Sequence, residues 1–228
     1  MKNSILIALF CVGLLPAQAQ KIVEKHLPFA ANGFVSMNFQ ISDSIRILTW
    51  KKNEVYVHSS IDVNDNQNND DYTMVFDETG NTISVSGKLE TEKIRRSRKD
   101  SSGNHHYNGD CCCCCNWDTR IIHEVYIPEN ADFSVETING NIIITGNTAE
   151  IKAHSISGYI DLAIAPDRKA EVKMHTISGT MYSNIELPSA SRGVRHVGGG
   201  SVTADLNGGG KRIDLETISG NIFFRKES

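Results

Sequence analysis

Apolar residues in the first half of the chain come in short bursts that alternate with polar ones, the period-two signature of half-buried strands. Val35, Met37, Phe39 and Ile41 share one phase, and Val55 and Val57 resume the alternation after a break. That break, Trp50-Lys51-Lys52-Asn53-Glu54, reads as a turn. So does Asp77-Glu78-Thr79-Gly80-Asn81, where Gly80 is free to take positive φ. No window of a dozen residues carries a helical apolar period, so little helix is expected.

The second half repeats itself. Val135-Glu136-Thr137-Ile138-Asn139-Gly140-Asn141-Ile142 is echoed by Ala153-His154-Ser155-Ile156-Ser157-Gly158-Tyr159-Ile160. It returns as Met174-His175-Thr176-Ile177-Ser178-Gly179-Thr180-Met181 and as Leu215-Glu216-Thr217-Ile218-Ser219-Gly220-Asn221-Ile222. Gly200-Ser201-Val202 fits the spacing as a degenerate copy. In each clear copy the apolar phase flips beside the glycine, which requires a bend or bulge if the apolar face is to stay inward. One such unit cannot bury its own face, whereas stacked units can. The expected fold is therefore all-β: a short β-solenoid or β-roll of ~21-residue repeats preceded by strand hairpins, with an antiparallel β-sandwich as the alternative. Rungs ~4.8 Å apart would make five copies ~24 Å long.

Three regions follow. Residues 1–19 read as a secretory signal peptide: Lys2, an apolar run from Ile5 to Leu15, then Ala17-Gln18-Ala19 before Gln20. Bulky Phe10 argues against lipidation at Cys11. The run falls short of the ~20 residues a membrane span needs. Residues 20–129 form the strand-rich first region, with an insertion at about 88–115, and residues 130–228 the repeat region. An exported protein, in the periplasm or at the cell surface, is expected. The formal charge, 23 − 27 = −4, speaks against nucleic-acid binding, which needs a basic face. A hydrophobic share of 39% with 22% charged residues suits a folded globular chain.

Ile45-Arg46-Ile47-Leu48-Thr49-Trp50, Asn53-Glu54-Val55-Tyr56-Val57, Val125-Tyr126-Ile127-Pro128 and the Thr/Ser-Ile-Ser/Asn-Gly repeats together resemble the putative adhesin family of bacterial envelope proteins. The resemblance runs from about Ile41 to Phe224. It implies an exported, repetitive β fold without catalytic residues. The insertion does not fit the family pattern.

That insertion holds Cys111, Cys112, Cys113, Cys114 and Cys115 in an unbroken run, which are all the cysteines beyond the leader. Adjacent cysteines bridge only with strain, and an odd number leaves at least one unpaired. Disulfides within or between chains, a soft-metal site with His105, His106 and Asp110, and no function at all remain open. The basic residues before the run, Lys88, Lys93, Arg95, Arg96, Arg98 and Lys99, are diluted by Glu90 and Glu92 and read as a solvated loop. Asp62, Asp65, Asp70 and Asp71 lack the glycine and terminal glutamate of a calcium loop. No Gly-x-Ser-x-Gly elbow occurs, and neither Gly198-Gly199-Gly200 nor Gly208-Gly209-Gly210 continues into a phosphate loop.

With the repeats in register, the position four before each glycine reads Glu136, His154, His175, His196, Glu216. Parity puts this column on the outer face, where it could bind zinc or copper, titrate as a group, or be a tolerant surface. The leading functional expectation is a non-enzymatic envelope protein with a repetitive β-surface for binding or assembly, its partner a protein or polysaccharide. The alternatives are a metal- or redox-responsive protein acting through Cys111–Cys115 and a carbohydrate-active enzyme.

Overall fold

The computed structural model describes residues 20–90, 118–129, 131–187 and 199–227. Apart from a 3-10 turn at Asn69–Asp71, every regular element among them is a strand. The first region supplies β1 (Lys21–Pro28), β2 (Phe34–Trp50), β3 (Glu54–Val63), β4 (Tyr72–Thr79), β5 (Thr82–Leu89) and β6 (Thr119–Pro128). The second supplies β7 (Asp132–Thr145), β8 (Ile151–Ser157), β9 (Ile160–Ile164), β10 (Ala170–Ser178), β11 (Met181–Ser183), β12 (Gly200–Leu206), β13 (Lys211–Ser219) and β14 (Ile222–Lys226). All belong to one mixed, 14-stranded sheet that does not close.

The sheet has two arms because β2 and β7 are long enough to turn a corner and serve both. Their first halves lie in the order β4-β5-β2-β7-β8-β13-β10-β12, and their second halves in the order β1-β3-β6-β2-β7-β9-β14-β11. Both arms turn their apolar side to one core. Val135 and Leu215 of the first arm join Ile144 and Phe224 of the second in a single buried cluster. A smaller cluster gathers Ile61, Val63, Tyr72, Leu89 and Ile121. β7 pairs with β2 along both halves, so strands from either side of position 130 share sheet and core.

The phase flip marks the corner, as the sequence pattern requires. β7 buries Phe133, Val135 and Thr137, then Ile142 and Ile144. β2 turns the same corner with an extra residue, its register against β7 shifting between Ile41 and Ser44. Ser42 is thereby buried, and Ile41 leaves the first phase to pack on the smaller cluster. In three of the repeats the inward hydroxyl before the exposed isoleucine donates to a glycine carbonyl of the neighbouring rung: Ser155 Oγ to Gly140 O (3.1 Å), Thr217 Oγ1 to Gly158 O (3.3 Å) and Thr176 Oγ1 to Gly220 O (3.1 Å). Each satisfies a backbone carbonyl at a bend where the ladder alone cannot.

Two expectations need correction. The copy at Gly200 is not a rung: β12 runs antiparallel to β10, with Ser201 opposite His175. A match resting on one glycine carries no information about strand direction. Nor does the stack follow chain order. The parallel pairs are β7–β8, β8–β13 and β13–β10, so the last segment of the chain is threaded between two earlier ones. The second arm repeats this, β14 lying between β9 and β11. The all-β expectation holds, in the form of a large open mixed sheet.

Candidate functional site

Cys111–Cys115 and His196 lie outside the described residues. Of the outward column, the register brings four members together on adjacent strands. Glu136 is opposite His154, His154 is opposite Glu216, and Glu216 is opposite His175. The expected run of neighbouring histidines is thus interrupted: insertion of β13 separates His154 from His175 by a carboxylate. Among the described residues no group of three or more His, Cys, Asp or Glu is placed to hold a metal ion. A shallow depression of about 160 Å³ lies along this row, between Ser134, Lys152 and Asp214 on one side and Glu136, His154 and Glu216 on the other.

A different constellation occupies the outer face of the second arm. The register aligns His26 of β1 with Tyr56 of β3, and Tyr56 with Tyr126 of β6. Trp50, at the end of β2, leans over the same rings. Ring centroids are 4.5 Å apart for His26–Tyr56, 5.9 Å for Tyr56–Tyr126 and 5.3 Å for Trp50–Tyr126. Tilts of 26–38° among Trp50, Tyr56 and Tyr126 make a nearly continuous aromatic surface. The indole is fixed by its own N–H, which donates to Glu54 O at 2.8 Å, and Lys52 Nζ sits 4.5 Å above the ring.

Two residues along β1, β3 and β6 from these rings, and reaching Arg46 on β2, lies a row in which carboxylates alternate with basic side chains, Glu24–His58–Glu124–Arg46. Tyr56 Oη donates to Glu24 Oε1 (3.2 Å), His58 Nδ1 lies 3.1 Å from the same oxygen, and Arg46 meets Glu124 at 3.3 Å. Partial desolvation first, and then the hydrogen bond to Glu24, raise the Tyr56 hydroxyl above the usual tyrosine range. The hydroxyl therefore stays protonated and able to donate. The face thus joins flat π surfaces to charged hydrogen-bonding groups that remain within reach of solvent. Tyr56 and Tyr126 each occupy an ordinary outward position in their own strands. Only the pairing of β3 with β6 makes them neighbours, so single-strand periodicity gives no sign of the platform.

Two further polar features lie elsewhere in the fold. His123 lies in the core, stacked 4.0 Å from Phe39, with Ser59 Oγ 2.8 Å from Nδ1 and Tyr72 Oη 3.1 Å from Nε2. All three residues are almost fully buried, so no substrate reaches them. Where the rungs return, an open cleft of about 770 Å³ is floored by Arg168, whose Nη2 donates to Ala149 O at 2.6 Å. On its rim Lys211 pairs with Asp132 at 3.6 Å.

No family model matches the chain, and no curated protein matches it. Among solved structures the fold is similar to that of a putative cell adhesion protein from Clostridium sporogenes. That match has 12% identity, covers 92% of this chain and 100% of the other, and gives a TM-score of 0.55. A putative adhesin from Bacteroides fragilis (8% identity, 92% and 99% covered, TM-score 0.30) also matches. So does a putative lipid binding protein from Parabacteroides distasonis (11%, 91% and 97%, 0.23). At such identities the first likeness concerns the fold alone. No helix among the described residues is long and apolar enough to cross a membrane.

Proposed function

We propose that this is an exported, non-enzymatic, adhesin-like protein of the cell envelope, built as a short two-armed β-coil, that binds polysaccharide on the Trp50–Tyr56–Tyr126–His26 platform. The carrying observation is the alignment of four rings on one outer face beside the row Glu24–His58–Glu124–Arg46. Sugar rings offer electropositive C–H faces and equatorial hydroxyls. The first suit the negative faces of aromatic rings, and the second suit carboxylates, imidazole and guanidinium at the edge. Spanning β1 to β2, the platform is ~14 Å wide, an extended strip in keeping with a polymer. The fold likeness to a protein described as a cell adhesion protein is consistent with this reading, and the leader expected at residues 1–19 and the resemblance carried by the sequence motifs point the same way.

Affinity electrophoresis of the folded chain against soluble neutral, acidic and amino-sugar polysaccharides tests the proposal. At least one should retard the protein, and Trp50→Ala with Tyr126→Ala should weaken that interaction ~100-fold, about tenfold for each ring removed. Thermal unfolding of the double variant should stay close to wild type, since both rings are outward. Retardation by none of the polymers, or undiminished retardation of the folded double variant, would overturn the assignment.

A further inference from the structure

The outer face of the first arm carries two kinds of ladder. Ile138, Ile156, Ile218 and Ile177 hold the same place in four adjacent rungs and are 50%, 39%, 37% and 56% exposed. Isoleucine recurring outside, in register, forms a continuous apolar ridge rather than scattered surface residues. Beside it runs Glu136–His154–Glu216–His175, and beyond that Ser134–Lys152–Asp214–Lys173. The flanking columns are neutral and polar: Ser36 and Asn38 on β2, Ser201 and Thr203 on β12.

We infer that this face binds a second copy of the same chain, front to front, about a twofold axis parallel to the strands and lying between β8 and β13. Such an axis keeps every row at its own height and reverses the order of the columns. His154, whose Nε2 is buried within its own chain, then meets Glu216 of the second copy through Nδ1, and Glu136 meets its His175. Lys152 meets Asp214, and Ser134 meets Lys173. Asn38 and Ser36 meet Ser201 and Thr203, and the isoleucine ridge closes on itself, Ile156 on Ile218 and Ile138 on Ile177. An in-plane axis across the strands would instead reverse the rows and set the apolar ridge against charge. One like-charged meeting remains at the margin, Asp132 with Glu171, where Lys211 lies 3.6 Å from Asp132.

A self-complementary patch is what a twofold interface demands, and the alternation along this face supplies it. The threading of β13 between β8 and β10 creates the alternation, because chain order would have left two histidines adjacent. The face measures ~24 by ~20 Å, or ~500 Å² per copy, below the ~800 Å² of a standard interface. The dimer is accordingly weak and reversible, with a Kd of ~10–100 µM. Packed sheets cross at ~30°, so the central pair, His154 with Glu216, is the contact held most closely.

Sedimentation equilibrium with reductant present, so that Cys111–Cys115 cannot link chains, tests the inference through a swap of the central pair. His154→Glu sets glutamate against Glu216 of its twin, and Glu216→His removes the acceptor for His154. Each variant alone should self-associate at least tenfold more weakly than wild type. Mixed in equal amounts they restore both central pairs, and the heterodimer should form at about wild-type strength. Ile218→Lys, which buries a charge in the ridge, should abolish association by an independent route. Circular dichroism and thermal melts establish that each variant is folded. A wild-type chain that stays monomeric throughout would overturn the inference. So would folded variants that dimerise normally, or a mixture no stronger than its components.

Discussion

His123 is the residue on which folding and solvent acidity meet. Ser59, Tyr72 and Phe39 enclose it, and Gly87 contributes by what it lacks, since a Cβ there would run into the Tyr72 hydroxyl. Burial holds the imidazole neutral and lowers its pKa to about 3. In the unfolded chain a histidine titrates near 6.5. Between about 6.5 and about 3 the unfolded state therefore carries a proton that the folded state refuses, and stability falls as pH falls through that window. The slope from this group approaches ~1.4 kcal/mol per pH unit at its steepest. Urea unfolding along a pH series should show it. His123→Gln should cost stability at neutral pH yet lose about one proton's worth of the acid slope relative to wild type. An unchanged slope would mean that the buried ring is protonated in the native state after all. The same burial pushes the Tyr72 hydroxyl upward, so it too remains a neutral donor or acceptor within the network.

Among the strands, the corner decides how closely rungs can stack. Gly220 faces Gly158 of the rung beside it, and a Cβ on Gly220 would meet the Gly158 carbonyl oxygen at well under contact distance. Backbone is the obstacle, so no side chain can swing away. Gly220→Ala should cost about 2–3 kcal/mol as rungs are forced apart. Thr217→Val, which removes the donor to Gly158 O but keeps the shape, should cost about 1 kcal/mol. Denaturant titration of both variants checks the ranking. A harmless Gly220→Ala would show that β13 and β14 pack more loosely against β8 and β9 than this geometry allows. The phase flip that places this corner was legible along the chain, because Thr217 and Ile222 both need burial and are an odd number of residues apart. Strand order was not. β8, β10 and β13 carry interchangeable inward patterns, and what seats β14 next to β9 is specific: Arg225 grips Asp161 through two hydrogen bonds of 2.6 and 2.9 Å. Such a pair joins residues far apart in sequence, and no local period announces it. The glutamates and histidines of the outer column were likewise legible as a set, while their alternation depended on that order.

In the whole molecule the two candidate surfaces lie on the outer faces of the two arms that share one core. The aromatic platform belongs to the second arm's outer face and the isoleucine ridge to the first arm's, and both arms turn inward to the same apolar cluster. A dimer closed through the ridges therefore leaves both platforms free. The consequence is bivalency. A weak individual sugar contact becomes a firm hold when a second platform is carried within reach of the same polymer surface, because the second contact is then made at a high effective concentration. On a dense polysaccharide layer, measured by surface plasmon resonance, wild type should dissociate more slowly than Ile218→Lys and hold ~100-fold more tightly in apparent affinity. For a short soluble fragment in calorimetry, the two proteins should bind equally, since Ile218 is remote from Trp50 and Tyr126. The contrast separates the two surfaces. A parallel loss in both assays would mean that the ridge itself touches sugar, and a loss in neither would mean that the platforms act one at a time.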